Sequence, residues 1–416
     1  MELQQERSNS KLIYQLIGGQ FILLMLLGLA TILSKLGIHD LHVYYTASLN
    51  LMQGKLPYRD FDLEYPPLSL LAFTLPRLVT FGYPIIIHIY VFLFMLENIL
   101  SCTAIAVLLV QITPLWQSQR RKILGMVFYL LFVVIISPVM LWRYDLFPTL
   151  LTILALVSVI LNRPTLAGIF TGLGVAAKLY PVVLLPVFGA YFIANKSYRA
   201  LLHLLLGSVS AVGISLLPFI FTAPVKLVSF LTYHKQRGLQ IESLPSGIIM
   251  LANKLNLVKV KTVGNYGSVN IVSSLDEIML KVLPRLFILT YVVLVISCFY
   301  RFQEERYKSD LVKSNSLIAY TLGALLIFLI TNKVFSPQYL VWVIPFAALL
   351  RPRQAGLMLA ICSITIIMSF YGHWRSMNNI TVILLNIRNM LMVTLTFWIV
   401  IEHLPSSFQA GIRRYR

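Results

Sequence analysis

Charge is scarce in this chain. Only 12% of its 416 residues are Asp, Glu, Lys or Arg, about half the share of a soluble globular domain. Acid is scarcest, with 15 Asp and Glu against 34 Lys and Arg. Cysteine is nearly missing. Cys102, Cys298 and Cys362 are the only three, and each lies in an apolar run. That excludes a disulfide framework or a cysteine metal cluster and leaves small buried hydrophobes. No GxxxxGK[ST] loop occurs, so coupling to ATP on this chain is not expected.

Apolar sequence takes the place of charge. The chain is 58% hydrophobic with mean hydropathy +0.82. Several uncharged runs reach the roughly 20 residues that cross a bilayer. A β-barrel would show short alternating segments instead. The pattern predicts an all-α polytopic membrane protein with about twelve transmembrane helices. Their expected spans are 12–34, 83–111, 122–139, 145–161, 165–178, 180–194, 199–221, 285–300, 315–332, 338–350, 354–372 and 386–402. Residues 1–416 are read as one integral membrane domain, with 37–82 as the first outside loop and 222–285 as a long outside segment. Residues 67–81 are apolar but short and carry Pro76-Arg77. They are read as a helix lying on the membrane surface.

The net charge of +19 does not point to nucleic acid. The cations sit in small clusters between apolar runs, as at Arg120-Arg121-Lys122, Arg301/Arg306/Lys308/Lys313 and Arg351/Arg353. Cytoplasmic loops carry such clusters, and anionic lipid headgroups are the natural counter-charge. Omitting 67–81 as a crossing puts these clusters on one side, with both termini in the cytoplasm. The first run is too long for a signal-peptide core and is read as an uncleaved span.

The outside loops hold the chemistry. Residues 39–68 carry Asp40, Asp60, Asp62 and Glu64 among Tyr44, Tyr45, Tyr58, Phe61 and Tyr65. Carboxylates act as bases, and aromatics stack on sugar rings. Asp40 follows the first span directly. Desolvation there raises a carboxyl pKa and suits a general base, while an N-cap for the next helix explains it equally well. Asp60-Phe61-Asp62 has the spacing of a cation-binding pair, but turn formation after Pro57 also accounts for it. With no third clear ligand, no metal or other cofactor is expected.

Further outside ends repeat the theme. Arg143 and Asp145 in LWRYDLFP read as an ion pair or the lining of a polar cavity. Gly168 and Gly172 form a small-xxx-small face for helix packing. The Gly172–Ala177 run lies in a span and follows no strand, so it is not a dinucleotide fingerprint. Lys178 either snorkels or meets a lipid-linked phosphate. His234, Arg237 and Ile241 would share one helical face. Lys333 and Gln338 flank Pro337, which is placed to start the next helix.

The ordered set DLHVYY…GKLPYRDFDLEYPPL, WRYDLFP, AAKLYP, YHKQRGLQIES and FSPQYLVW resembles glycosyltransferase family 87, of the GT-C superfamily. The resemblance runs from about residue 37 to 350. It implies a membrane glycosyltransferase that takes its sugar, mannose first, from a polyprenyl-phosphate donor and passes it to a lipid or glycan acceptor. It implies Asp40 as the base of an inverting displacement on the extracytoplasmic face of the cell (inner) membrane. Arg143, Lys178, Arg237 and Lys333 are then expected at the donor phosphate. Tyr44, Tyr45, Asp62, Glu64, Asp145, His234, Gln240, Glu242 and Gln338 are expected at sugar and acceptor. His39 and His42 flank Asp40 and depart from the pattern, which leaves a metal open. Glucose or arabinose transfer is the alternative within the class. A transporter or lipid flippase is the alternative outside it, but such proteins place ionisable groups near the bilayer midplane.

Overall fold

The computed structural model describes residues 2–34, 41–80, 86–112, 119–371 and 378–408. The elements in chain order are α1 (Glu2–Leu33), α2 (Leu41–Met52), α3 (Ser69–Leu78), α4 (Ile87–Ile112), α5 (Gln119–Met140), α6 (Leu146–Ile160), α7 (Pro164–Ala177), α8 (Leu185–Ala194), α9 (Tyr198–Thr222) and α10 (Ser229–Gln236). They continue with β1 (Leu239–Gln240), α11 (Leu244–Lys254), β2 (Lys261–Asn265), β3 (Ser268–Val272), α12 (Asp276–Glu304), α13 (Asp310–Thr331), α14 (Ile344–Ala347), α15 (Pro352–Tyr371) and α16 (Asn379–Glu402). The all-α polytopic expectation holds. Among the described residues, eight helices are long and apolar enough to cross a membrane.

The remaining expected spans are shorter. α6 and α7 have 15 and 14 residues, or about 22 Å at 1.5 Å per residue, against a hydrocarbon core near 30 Å. Residues 180–194 begin as a 3-10 turn over Tyr180–Leu184 before α8. Residues 338–350 are not one helix but a 3-10 turn, Pro337–Trp342, and the four-residue α14. Pro337 does stand at the start of that turn. α12 begins at Asp276, ahead of the expected 285, because Asp276 and Glu277 suit the positive end of the helix dipole.

Two compact units divide the chain. The first comprises Met1–Leu185 and Arg199–His234, the second Pro186–Tyr198 and Lys235–Arg416.

In the first unit α1 packs on α4 and α5, and α4 on α6. Asn162, in the left-handed region at φ 53, ends α6, and Pro164 starts α7. α7 meets α9 through small residues, as their spacing suggests. A Cβ on Gly168 would overlap the Leu204 carbonyl, and one on Gly172 the Ser208 carbonyl. Ser208 Oγ donates to the Gly168 carbonyl at 3.1 Å across this contact.

In the second unit α12 packs on α13, and α16 on α11, α13 and α15. Residues 222–285, expected as a long outside segment, are more ordered than their sequence suggests. β2 and β3 form a hairpin, with β1 on the far edge of β3. Tyr266 and Gly267 are its two-residue loop, both at positive φ, which matches the twist of the flanking strands. Leu239, Ile241, Ile249, Ile271, Val382 and Leu385 bury together beneath it. This sheet corrects the helical reading of 234–241. α10 stops at Gln236, and Leu239 and Gln240 instead pair with Ile271 and Asn270. All three cysteines are buried and free.

Candidate active site

The first-unit site is built where the 53–68 loop, the start of α6 and the end of α7 converge. Tyr58 anchors the loop. It sits in the left-handed region at φ 65, which is uncommon for an aromatic residue. Its ring is buried, and its hydroxyl donates to the Tyr65 carbonyl at 2.6 Å. Asp60 closes the same turn. Its carboxylate accepts from the Leu56 N–H at 2.8 Å and from Arg59 at 2.9 Å. Those bonds, Arg59 first, hold its pKa down at about 2. Asp60 therefore shapes the turn, while Asp62 is exposed and Glu64 half-buried.

Beyond Pro66-Pro67, the Leu68 N–H donates to the Ala176 carbonyl at 2.9 Å and ties the loop to the end of α7. Lys178 leaves α7 in extended conformation. This turns its ammonium onto Asp145, which precedes α6, at 2.7 Å. The Asp145 side chain is 2% exposed and that of Lys178 15%. The ammonium also lies 4.6 Å from the centroid of the Tyr144 ring, within cation–π range. Around this pair Tyr44, Tyr65, Phe73 and Tyr144 pack edge to face or stacked. Tyr44 is 1% exposed, and burial raises its pKa, as it does for Tyr65. It is a packing residue of the cluster. Arg143 is half-buried beside Tyr144 in sequence.

Tyr45 is held differently. Arg77 of α3 is buried and donates to Ser48 Oγ at 2.8 Å, with its guanidinium 4.4 Å over the Tyr45 ring. This fixes α3 on α2. At ten residues α3 is too short to span. Its outer stripe, Leu71, Leu75 and Leu78, is exposed and apolar. His234 is half-buried with its ring against Tyr233.

In the second unit Arg237, Gln240, Glu242, Lys333 and Gln338 come from β1 and the segment after α13. Lys333 Nζ donates to the carbonyls of Lys235 and Arg237 at 2.8 and 2.6 Å. The Gln240 N–H donates to the Lys333 carbonyl, and its side-chain oxygen accepts from the Phe335 N–H. Gln240 also donates to the Glu242 carboxylate at 3.0 Å. Burial and then Arg237 lower the Lys333 pKa. Gln338 accepts from Ser336 at 2.5 Å. The sequence reading missed Arg388 of α16, which donates to the Glu242 carbonyl at 2.8 Å. The signal was there: a lone arginine within an expected span is costly unless it has a purpose.

Asp40, with His39, lies outside the described residues. Among the described residues, no three His, Cys, Asp or Glu side chains gather as a metal site.

The sequence model of glycosyltransferase family 87 matches residues 63–331. The chain belongs to that family. It is therefore a membrane glycosyltransferase of the GT-C type. The match covers Glu64, Arg143, Asp145, Lys178, His234, Arg237, Gln240 and Glu242. Asp40, Tyr44, Tyr45, Asp62, Lys333 and Gln338 fall beyond its ends. No curated protein matches the chain. A glycosyltransferase implies a sugar donor and an acceptor.

Proposed function

We propose that this family 87 enzyme transfers a sugar, mannose first, from a polyprenyl-phosphate donor to a hydroxyl of a lipid or glycan acceptor on the extracytoplasmic face of the cell membrane. The observation that carries the reading is the half-buried cation pair of the second unit. Lys333 Nζ donates to the Arg237 carbonyl at 2.6 Å, which sets the two cationic residues side by side, and the Lys333 pKa is lowered by burial and then by Arg237. Such a pair is stabilised by an anion, and a departing phosphate is the anion this chemistry produces. Arg143 and Lys178 are the phosphate-binding cations proposed for the first unit. Asp145 already engages Lys178, so Lys178 contributes as a hydrogen-bonded pair. The sugar and acceptor hydroxyls are assigned to Tyr44, Tyr45, Asp62, Glu64, Asp145 and His234 in the first unit and to Gln240, Glu242 and Gln338 in the second.

Asp40 is the proposed base. It removes the acceptor proton as the acceptor oxygen attacks the anomeric carbon. The sugar–phosphate bond breaks with inversion, and its electron pair leaves on the phosphate oxygen. The bond broken supplies the energy, so no nucleotide is required, and no metal is part of the proposal.

The test is incubation of the purified protein with polyprenyl-phosphate mannose and a membrane-lipid extract as acceptor. Release of polyprenyl phosphate with gain of mannose on the acceptor is the expected result. Asp40→Asn should keep the fold and lower turnover by about a hundredfold to ten-thousandfold, the range for a general base. Full turnover in Asp40→Asn removes Asp40 from the reaction. Turnover that requires an added divalent cation and stops with a chelator removes the metal-free mechanism.

A further inference from the structure

Arg388 is fully buried on α16, and most of its hydrogen-bonding capacity is unused. Nη2 donates to the Glu242 carbonyl. Among the described residues, Nε and Nη1 are buried with no hydrogen-bond partner. Arg237 Nε is in the same condition. The Arg388 guanidinium lies over Phe335, its Cζ 4.1 Å from the ring centroid. Phe335 is two residues from Lys333, and its N–H is held by Gln240. Arg237, Lys333 and Arg388 thus come together around the segment that carries Gln240 and the carboxylate Glu242. That carboxylate already accepts from Gln240.

A purely structural account covers only part of this. Asn386 and Asn389 of α16 donate to the Gly247 and Ser243 carbonyls at 2.9 and 3.3 Å, and Arg388 Nη2 extends that row to Glu242. The row explains one nitrogen of the guanidinium. Among the described residues, it leaves Nε and Nη1 desolvated and unmatched. A buried donor without an acceptor is expensive, and each such group in a folded protein calls for an explanation. An oxyanion with several acceptor oxygens answers both the charge and the geometry. A planar guanidinium fork matches phosphate oxygens, and an aromatic face beneath it fixes the plane of the fork.

We propose that Arg388 is the innermost phosphate-holding residue of the donor site, with Nε and Nη1, together with Arg237 Nε, taking the oxygens of the polyprenyl phosphate. The proposal rests on the polyprenyl-phosphate reading above and adds a residue from the last helix.

The experiment measures binding of geranylgeranyl phosphate and of geranylgeraniol to the full-length protein in lipid nanodiscs. The ratio of the two dissociation constants isolates the phosphate from the chain. The wild type should favour the phosphate. Arg388→Gln, which still reaches the Glu242 carbonyl, should lower that preference by about ten- to a hundredfold, the worth of hydrogen bonds to a charged group. Its affinity for the alcohol should be unchanged. Arg388→Lys should fall between. If Arg388→Gln does not fold, Phe335→Leu carries the test, and the preference should drop by about threefold or more. A wild type with no preference overturns the donor reading itself. A wild type with a preference that survives in Arg388→Gln, or in Phe335→Leu where that variant decides, overturns the Arg388 assignment alone. So does a variant that loses phosphate and alcohol equally, which marks a structural role.

Discussion

Lys178→Met should cost more stability than Asp145→Asn, although both break the same bond. The pair is short, at 2.7 Å, and its two side chains are unequally buried, 15% exposed for Lys178 and 2% for Asp145. At an effective dielectric near 20 the gross attraction is about 6 kcal/mol, and desolvation of both ions offsets much of it. Removing the ammonium leaves a carboxylate charge in a place where water scarcely reaches. Loss of one partner of a buried pair costs about 3–5 kcal/mol, and Lys178→Met should fall in that range. Removing the carboxylate charge leaves a lysine whose stem can extend toward water and whose ammonium keeps the Tyr144 ring. Asp145→Asn should cost about 1–3 kcal/mol. The double variant should recover part of the loss, with a coupling above about 1 kcal/mol. Reversible unfolding in mixed micelles reads all four corners of this cycle. If Lys178→Met proves the milder change, or the coupling is near zero, the pair does not hold α6 and α7 together and the reasoning is wrong.

Two further outcomes follow from single residues. Gly168→Ala should lose about 1–3 kcal/mol because its Cβ overlaps a backbone carbonyl that cannot move aside; Gly213→Ala, with nothing within 4 Å, should gain up to about 1 kcal/mol, and equal unfolding midpoints would refute the close contact of α7 and α9. Lys333 has a lowered pKa in the folded protein, so the native state gives up this proton more readily than the unfolded chain. Its contribution to stability should rise with pH between the lowered value and the ordinary lysine value near 10.4. Affinity for polyprenyl phosphate should weaken over the same window as the ammonium is lost, and Lys333→Arg should abolish that dependence; a titration with no difference between the two proteins counts against Lys333 at the phosphate.

The fold was legible wherever burial is continuous along the chain. Long apolar runs mark the eight long helices because a span needs little else. Gly168 and Gly172 announced their helix contact because their spacing places them on one face. The start of α12 was hidden by Lys281 and Arg285, which read as loop residues but are carried inside the helix. The hairpin of β2 and β3 was hidden by composition. Its strands carry Lys261, Asn265, Ser268 and Asn270 beside Val263, Val269 and Val272, and only the Tyr266-Gly267 pair betrays the turn. The break at 338–350 follows from Pro337 and Pro345, each at the start of its own short helix.

The candidate site divides along a similar line. Local chemistry could be read where the partner is a near neighbour in sequence, as with the turn-forming Asp60, whereas the sequence points Asp145 at Arg143 and the fold gives it Lys178, 33 positions on. Residues that reach their partners only through the fold could not. Arg77 and Ser48 are 29 positions apart, and Arg388 and Glu242 are 146 apart. Arg388 nevertheless carried the clearest warning in the sequence. It stands near the start of its expected span, 386–402, but at the tenth of the 24 positions of α16, and the bilayer makes every such charge answerable to a specific partner. A clustered charge at a span end is accounted for by topology alone. A solitary charge within a span has no such account, so it is the better place to begin looking for chemistry in a chain of this kind.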